Sequence, residues 1–202
     1  MKGLFITIEG PDGAGKSTQI ELLKKYFQEQ DKDIVITREP GGTEISEKIR
    51  NIILDNKNTA MADTTEALLY AASRAQHVHQ KIIPALKEGK VVICDRFVHS
   101  SLVYQGIGRG LGVEEVKAIN DFAIEGIKPD VTLFFDISPE TALKRKTNNN
   151  LGDRLENEKV DFHQRVYKGY KSLIEKYPEE FTIINANGTI DEIHKQVIKA
   201  IE

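Results

Sequence analysis

Three kinds of feature are scarce in this chain, and each scarcity excludes something. A single cysteine, Cys94, in 202 residues excludes an internal disulfide framework. It lies in the apolar run Val91–Cys94, which reads as a buried strand, and nothing beside it would activate a thiol. Neither charge is in surplus: 28 Lys and Arg against 31 Asp and Glu leave a net −3. There is no basic field of the kind that draws nucleic acid or an anionic membrane. Apolar runs are short, none approaching the roughly 20 residues of a membrane span, and no signal peptide precedes the first strand pattern. These gaps favour a soluble, cytoplasmic protein.

The β-rich runs Leu4–Ile8, Ile34–Thr37, Val91–Cys94, Val131–Asp136 and Phe181–Ile184 are continuously apolar rather than alternating, as fully buried parallel strands are. Helical patterns separate them, at about 16–30, 43–55, 63–88, 114–126, 139–147, 157–177 and 189–201. Asp63 and Glu66 read as an N-terminal capping pair, Pro84 as a kink and Gly89 as a stop. The alternation predicts one α/β domain over residues 1–202, a doubly wound, parallel, five-stranded sheet flanked by helices. Ligands then gather at the C-terminal ends of the strands.

Between the first strand and the first helix stand Gly10, Pro11, Asp12, Gly13, Ala14, Gly15, Lys16, Ser17 and Thr18. This is G-x-x-x-x-G-K-[ST] in its required strand–turn–helix context. The glycines let backbone N–H groups close around anionic oxygens at a helix N-terminus. Lys16 reaches the β- and γ-phosphates, and the Ser17 hydroxyl suits Mg²⁺. The chain is thus expected to bind a nucleoside triphosphate.

Further charge collects at the other strand ends. Arg38 and Glu39 close the second strand just before Pro40-Gly41-Gly42. Asp95 closes the third, where a carboxylate can hold Mg²⁺ through water, and Arg96 can grip phosphate oxygens bidentately. Arg50 and Arg74 lie on helical patterns, Arg74 behind the small residues Ala71, Ala72 and Ser73. The segment Ser100–Gly112 is polar and Gly-rich and reads as a binding segment. Lys144, Arg145, Lys146 and Arg154 bracket an Asn-rich stretch at 148–153 that suits a mobile loop, here a flap bringing arginine to the transferring phosphoryl group. His77, His79, His163 and His194 read as surface or helix histidines with no metal spacing. A second anionic substrate explains so many arginines economically. A GTPase switch fits less well, because Asp95 does not begin D-x-x-G and Asn56–Thr59 breaks N-K-x-D.

Taken together these residues resemble the thymidylate kinase family. The resemblance runs the full length. It rests on the ordered set Thr37–Thr43, Ala71–Arg74, Asp95–Phe97 and Ser100–Gln105. It implies a P-loop nucleoside monophosphate kinase fold with a flap at about 142–155. It also implies the reaction dTMP + ATP → dTDP + ADP with Mg²⁺, on the route to dTTP, in a cytoplasmic homodimer. Carried over by position, Tyr70 would stack on thymine, Arg74 and Gln105 would read its polar edge, and Ser101 would help hold it. Tyr104 would crowd the ribose 2′ position, and Asp12 would meet the 3′-hydroxyl or the metal shell. Arg38, Arg50 and Arg96 would surround the dTMP phosphate, with Glu39 orienting them. Some members carry an arginine inside the phosphate loop. Here Pro11–Ala14 holds none, which matches the members with a basic flap, so Arg145 or Arg154 would supply the catalytic cation. Another nucleotide or deoxynucleoside kinase, and less favourably a nucleotide-dependent switch, stay open as alternatives.

Overall fold

Five short apolar segments pair side by side as β1 (Leu4–Glu9), β2 (Ile34–Arg38), β3 (Val91–Asp95), β4 (Val131–Asp136) and β5 (Thr182–Asn185). All pairings are parallel, in the order β2-β3-β1-β4-β5. The structure, a computed structural model, describes residues 3–145 and 152–202. The helices are α1 (Lys16–Gln28), α2 (Glu44–Leu54), α3 (Asp63–His77), α4 (Ile83–Lys87), α5 (Val98–Ser101), α6 (Val113–Ala123), α7 (Pro139–Arg145), α8 (Val160–Lys176) and α9 (Ile190–Ile201). The expected doubly wound parallel sheet is therefore present. The strand period of two divides its apolar residues between two cores. Ile6, Ile8, Ile93, Leu133 and Phe135 pack with Leu23 of α1 and Val197 of α9. Phe5, Val92 and Cys94 pack on the opposite face with Ile82 and Phe97.

Local departures from the sequence pattern have physical causes. The expected single helix over 63–88 is interrupted by a wide π-type turn at Val78–Ile82. Pro84, two residues past its end, has no N–H to donate and crowds the carbonyl one turn back, so the preceding turn opens. The expected capping pair is corrected: α3 is entered from Ala62 with no side-chain cap, and Glu66 is buried inside. The Gly-rich segment read as a binding segment is largely helical, α5 running into a π-type turn at Leu102–Gly108. Gly108 belongs there through packing, since a Cβ would sit 2.8 Å from the Phe162 ring. Strands β1, β2 and β3 each run one residue past their apolar run. That last residue is Glu9, Arg38 or Asp95, at three neighbouring strand ends. Of the expected flap, residues 146–151 lie outside the described residues.

Candidate active site

The phosphate loop connects the buried end of β1 to α1. Gly13 adopts φ 88°, and a Cβ there would lie 2.2 Å from the Ala142 carbonyl oxygen. Only glycine fits, on conformation and on space. Lys16 turns its Nζ into the loop, donating to the carbonyls of Gly10 (3.1 Å) and Pro11 (3.0 Å), 3.6 Å from Asp12. Burial, then the positive field of Arg96, lowers its pKa. Both effects mark a cation poised for an anionic partner. Ser17, Thr18, Asp95 and Arg145 line a cavity of about 670 Å³ with this loop.

A second cavity, of about 170 Å³, opens on the other side of Asp12 and Asp95, which line both. Arg38, Arg50 and Arg96 line it from β2, α2 and the end of β3, together with Tyr70, Arg74, Ser101, Tyr104 and Gln105. Arg38 and Arg50 each donate to the Pro40 carbonyl at 2.8 Å, across a turn with a cis Glu39–Pro40 bond. Arg38 also pairs with Glu47 at 3.1 Å. Arg96 has φ 70°, donates to Asp12 (2.7 Å) and Ser100 (3.2 Å), and lies over the Tyr104 ring at 5.2 Å. Burial pushes the Tyr104 phenol up to about 12 and raises Tyr70 as well, so neither presents negative charge to an anion.

One expected role is corrected. Glu39 does not orient Arg38, Arg50 and Arg96; the Pro40 carbonyl and Asp12 do. Glu39 instead grips Arg74 at 2.6 Å and His77 at 2.9 Å. Arg74, almost wholly buried, also donates to Ser101 (3.1 Å), Asn120 and the Phe97 carbonyl (3.1 Å). His77 is a helix histidine, the last residue of α3, but not a surface one: it is fully buried between Glu39 and Thr37, with Thr37 Oγ1 at 2.7 Å. The two flap arginines part company. Arg145 sits beside the phosphate loop, held by the Ala186 carbonyl at 2.7 Å. Arg154 turns away onto Ile53 and Glu66, lining neither cavity.

Metal-binding capacity rests on Asp95. Its Oδ1 is buried, has no hydrogen-bond partner, and stands where the two cavities meet. A buried carboxylate oxygen left unpaired is costly unless something cationic or hydrated completes it. With the Ser17 hydroxyl nearby in the loop cavity, the donors are hard oxygens, which suit Mg²⁺.

Sequence reasoning missed Glu9 and Glu66. Glu9 is fully buried at the end of β1 and accepts from the Phe97 N–H (2.9 Å), Ser100 and Tyr170 (2.8 Å). It thereby pins the start of α5 beside Arg96. Its signal resembled that of Asp95: an acid closing an apolar strand.

A parallel sheet with a phosphate loop after β1 and an arginine-lined acceptor cavity beside it is the arrangement of a P-loop nucleoside monophosphate kinase. The comparisons are more specific. The family model described as thymidylate kinase matches residues 8–197. The thymidylate kinase of Clostridium novyi is 54% identical, over 97% of each chain. That of Finegoldia magna is 54% identical, over 98% of each. The crystal structure of a thymidylate kinase from Ehrlichia chaffeensis superposes with a TM-score of 0.79 at 32% identity, covering all of both chains. The chain belongs to the thymidylate kinase family.

Proposed function

We propose that this enzyme transfers the γ-phosphoryl group of ATP to dTMP, giving dTDP and ADP. It does so within a single domain over residues 1–202 whose flap spans about 142–155. The observation that carries this reading is the meeting of two cavities at Asp12 and Asp95, one lined by the phosphate loop and the other by three arginines. The loop amides and Lys16 bind the triphosphate. Arg38, Arg50 and Arg96 hold the dTMP phosphate facing it. An oxygen of that phosphate forms a bond to the γ-phosphorus. The bond from the γ-phosphorus to its bridging oxygen breaks, and the electron pair leaves on ADP, where Lys16 neutralises it. No general base is needed, because a phosphate monoester with a second pKa near ~6 is already largely a dianion at neutral pH. Mg²⁺, when bound, neutralises phosphate charge; Ser17 and, through water, Asp95 would hold it.

Tyr70 stacks on thymine, Arg74 and Gln105 read its edge, Ser101 supports Arg74, Tyr104 crowds the ribose 2′ position and Asp12 meets the 3′-hydroxyl. The position of Arg145 beside the loop supports it as the cation that meets the transferring group. Arg154 can take that role only after leaving Glu66. A cytoplasmic homodimer completes the reading. Ile45 and Ile52 of α2, Leu68 of α3 and Phe122 of α6 are 50%, 49%, 58% and 90% exposed, on helices that pack α2 on α3 and α3 on α6, and a second copy would cover such apolar side chains. Among the described residues no helix is long and apolar enough to cross a membrane. The test is ADP release from ATP with a panel of nucleosides and monophosphates. Turnover with dTMP above all others is expected; hydrolysis with no acceptor dependence would refute transfer.

A further inference from the structure

Glu66, in the first turn of α3, is 1% exposed yet surrounded by donors. Its Oε1 accepts from Gln105 Nε2 at 2.9 Å and Arg109 Nε at 3.2 Å. Its Oε2 accepts from Arg109 at 3.0 Å and Arg154 at 2.5 Å. Burial alone would raise its pKa, but the bonds from Arg109, Gln105 and Arg154 outweigh it and hold the carboxyl below its ordinary value. Glu66 is therefore a carboxylate at neutral pH, and a carboxylate only accepts. The Gln105 atom facing it must be the amide nitrogen. The carbonyl oxygen Oε1 is then the part of Gln105 left for the nucleotide cavity, which Gln105 lines beside Tyr70, Arg74 and Ser101.

We propose that Glu66 is a positioning residue that sets base specificity: it locks the Gln105 amide so that the cavity offers an acceptor, selecting a base with a ring N–H over one with a lone pair there. This rests on the reading of the cavity as a pyrimidine monophosphate site. Thymine and uracil carry N3–H; cytosine carries a lone pair at N3. A buried acceptor facing a lone pair is an unmade hydrogen bond plus a repulsion, so dCMP is rejected where dTMP is held.

Glu66→Gln tests the lock. Two arginine N–H groups converge on the Oε2 position, against one at Oε1. The new amide therefore places its oxygen toward Arg109 and Arg154 and its NH₂ toward Gln105. Gln105 then flips and presents its own NH₂ to the cavity. The measurement is kcat/KM for dTMP, dUMP and dCMP on the wild type and the variant. The dTMP:dCMP ratio should fall by about tenfold or more, the equivalent of one buried hydrogen bond. The dTMP:dUMP ratio should not move, because both bases carry N3–H. In a Gln105→Met background, Glu66→Gln should leave the dTMP:dCMP ratio unchanged. An unchanged ratio in the single variant, or an equal fall in the Met background, overturns the proposal. Should Glu66→Gln fail to fold, the wild type still decides. The 3-deaza analogue of dUMP, with C–H in place of N3–H, should be used about tenfold less well than dUMP, and equal turnover overturns the lock. A wild type inactive on dTMP would instead refute the proposed function itself.

Discussion

Replacing Arg96 by alanine separates the two halves of the site. The guanidinium is mostly buried, 17% exposed, and reaches the acceptor cavity from the end of β3. A charge-assisted hydrogen bond contributes about 1.5–3 kcal/mol, so a two-point grip on a phosphate is worth about 3–6 kcal/mol before costs. Arg96 must first release Asp12 at 2.7 Å and Ser100 at 3.2 Å, which brings the net toward the lower end. The expected loss is about 10²–10³ in kcat/KM for dTMP, each 1.36 kcal/mol being tenfold. ATP should be largely spared: Arg96 meets the loop through the Asp12 side chain, whereas Lys16 is held by the Gly10 and Pro11 carbonyls. Removing its positive field only lets Lys16 hold its proton more firmly. Coupled ADP release, with dTMP varied at saturating ATP and then the reverse, reads the two separately. Arg96→Gly is the control for backbone strain. At φ 70° alanine keeps a left-handed penalty of about 1–2 kcal/mol that glycine lacks. The glycine variant should be as inactive as the alanine variant and unfold no lower. A loss below tenfold, or one confined to the KM for ATP, would refute the clamp.

Three further outcomes are expected. Glu39→Ala leaves buried Arg74 and His77 without their carboxylate, a cost of about 3–5 kcal/mol. At about 2–4 °C per kcal/mol for a domain of this size, thermal unfolding should drop by more than about 6 °C. Glu44→Ala, which removes only the exposed pair with Lys48, should stay within about 1 kcal/mol of wild type. Asp95→Asn should raise the Mg²⁺ concentration for half-maximal rate by about tenfold, roughly the value of one charge-assisted interaction. An unmoved midpoint would place the metal elsewhere. Arg145→Ala should lower kcat more than Arg154→Ala; wild-type kcat in both would remove the flap from catalysis altogether.

How much of this was legible in the sequence follows from where each residue's partners lie. The phosphate loop, Arg38 and the Asp95–Arg96 pair announce themselves, because a charge closing an apolar strand has a fixed address at the C-terminal edge of a parallel sheet. Glu9 obeys the same rule and was legible in principle. Glu66 and His77 were not, and of Glu39 the place at the strand end was legible but its partners were not. Each acts through partners 35 to 88 positions away: Glu39 with Arg74 at a separation of 35, His77 with Thr37 at 40, Glu66 with Gln105 at 39 and Arg154 at 88. Local pattern reads such residues as turn, cap or surface charge, because an acid in the first turn of a helix stabilises it whether or not it is buried. The π-type turn at Leu102–Gly108 escaped for a related reason. Its glycines resemble loop punctuation, yet Gly108 is there to admit the Phe162 ring of α8, far along the chain. That turn carries Tyr104 and Gln105, so the side chains proposed to recognise the sugar and the base hang from the element that periodicity describes least well. The phosphate chemistry is written locally. The proposed choice of acceptor depends on long-range contacts: Glu66 joins Gln105 to Arg154, so the side chain proposed to select the base and the flap arginine share one carboxylate.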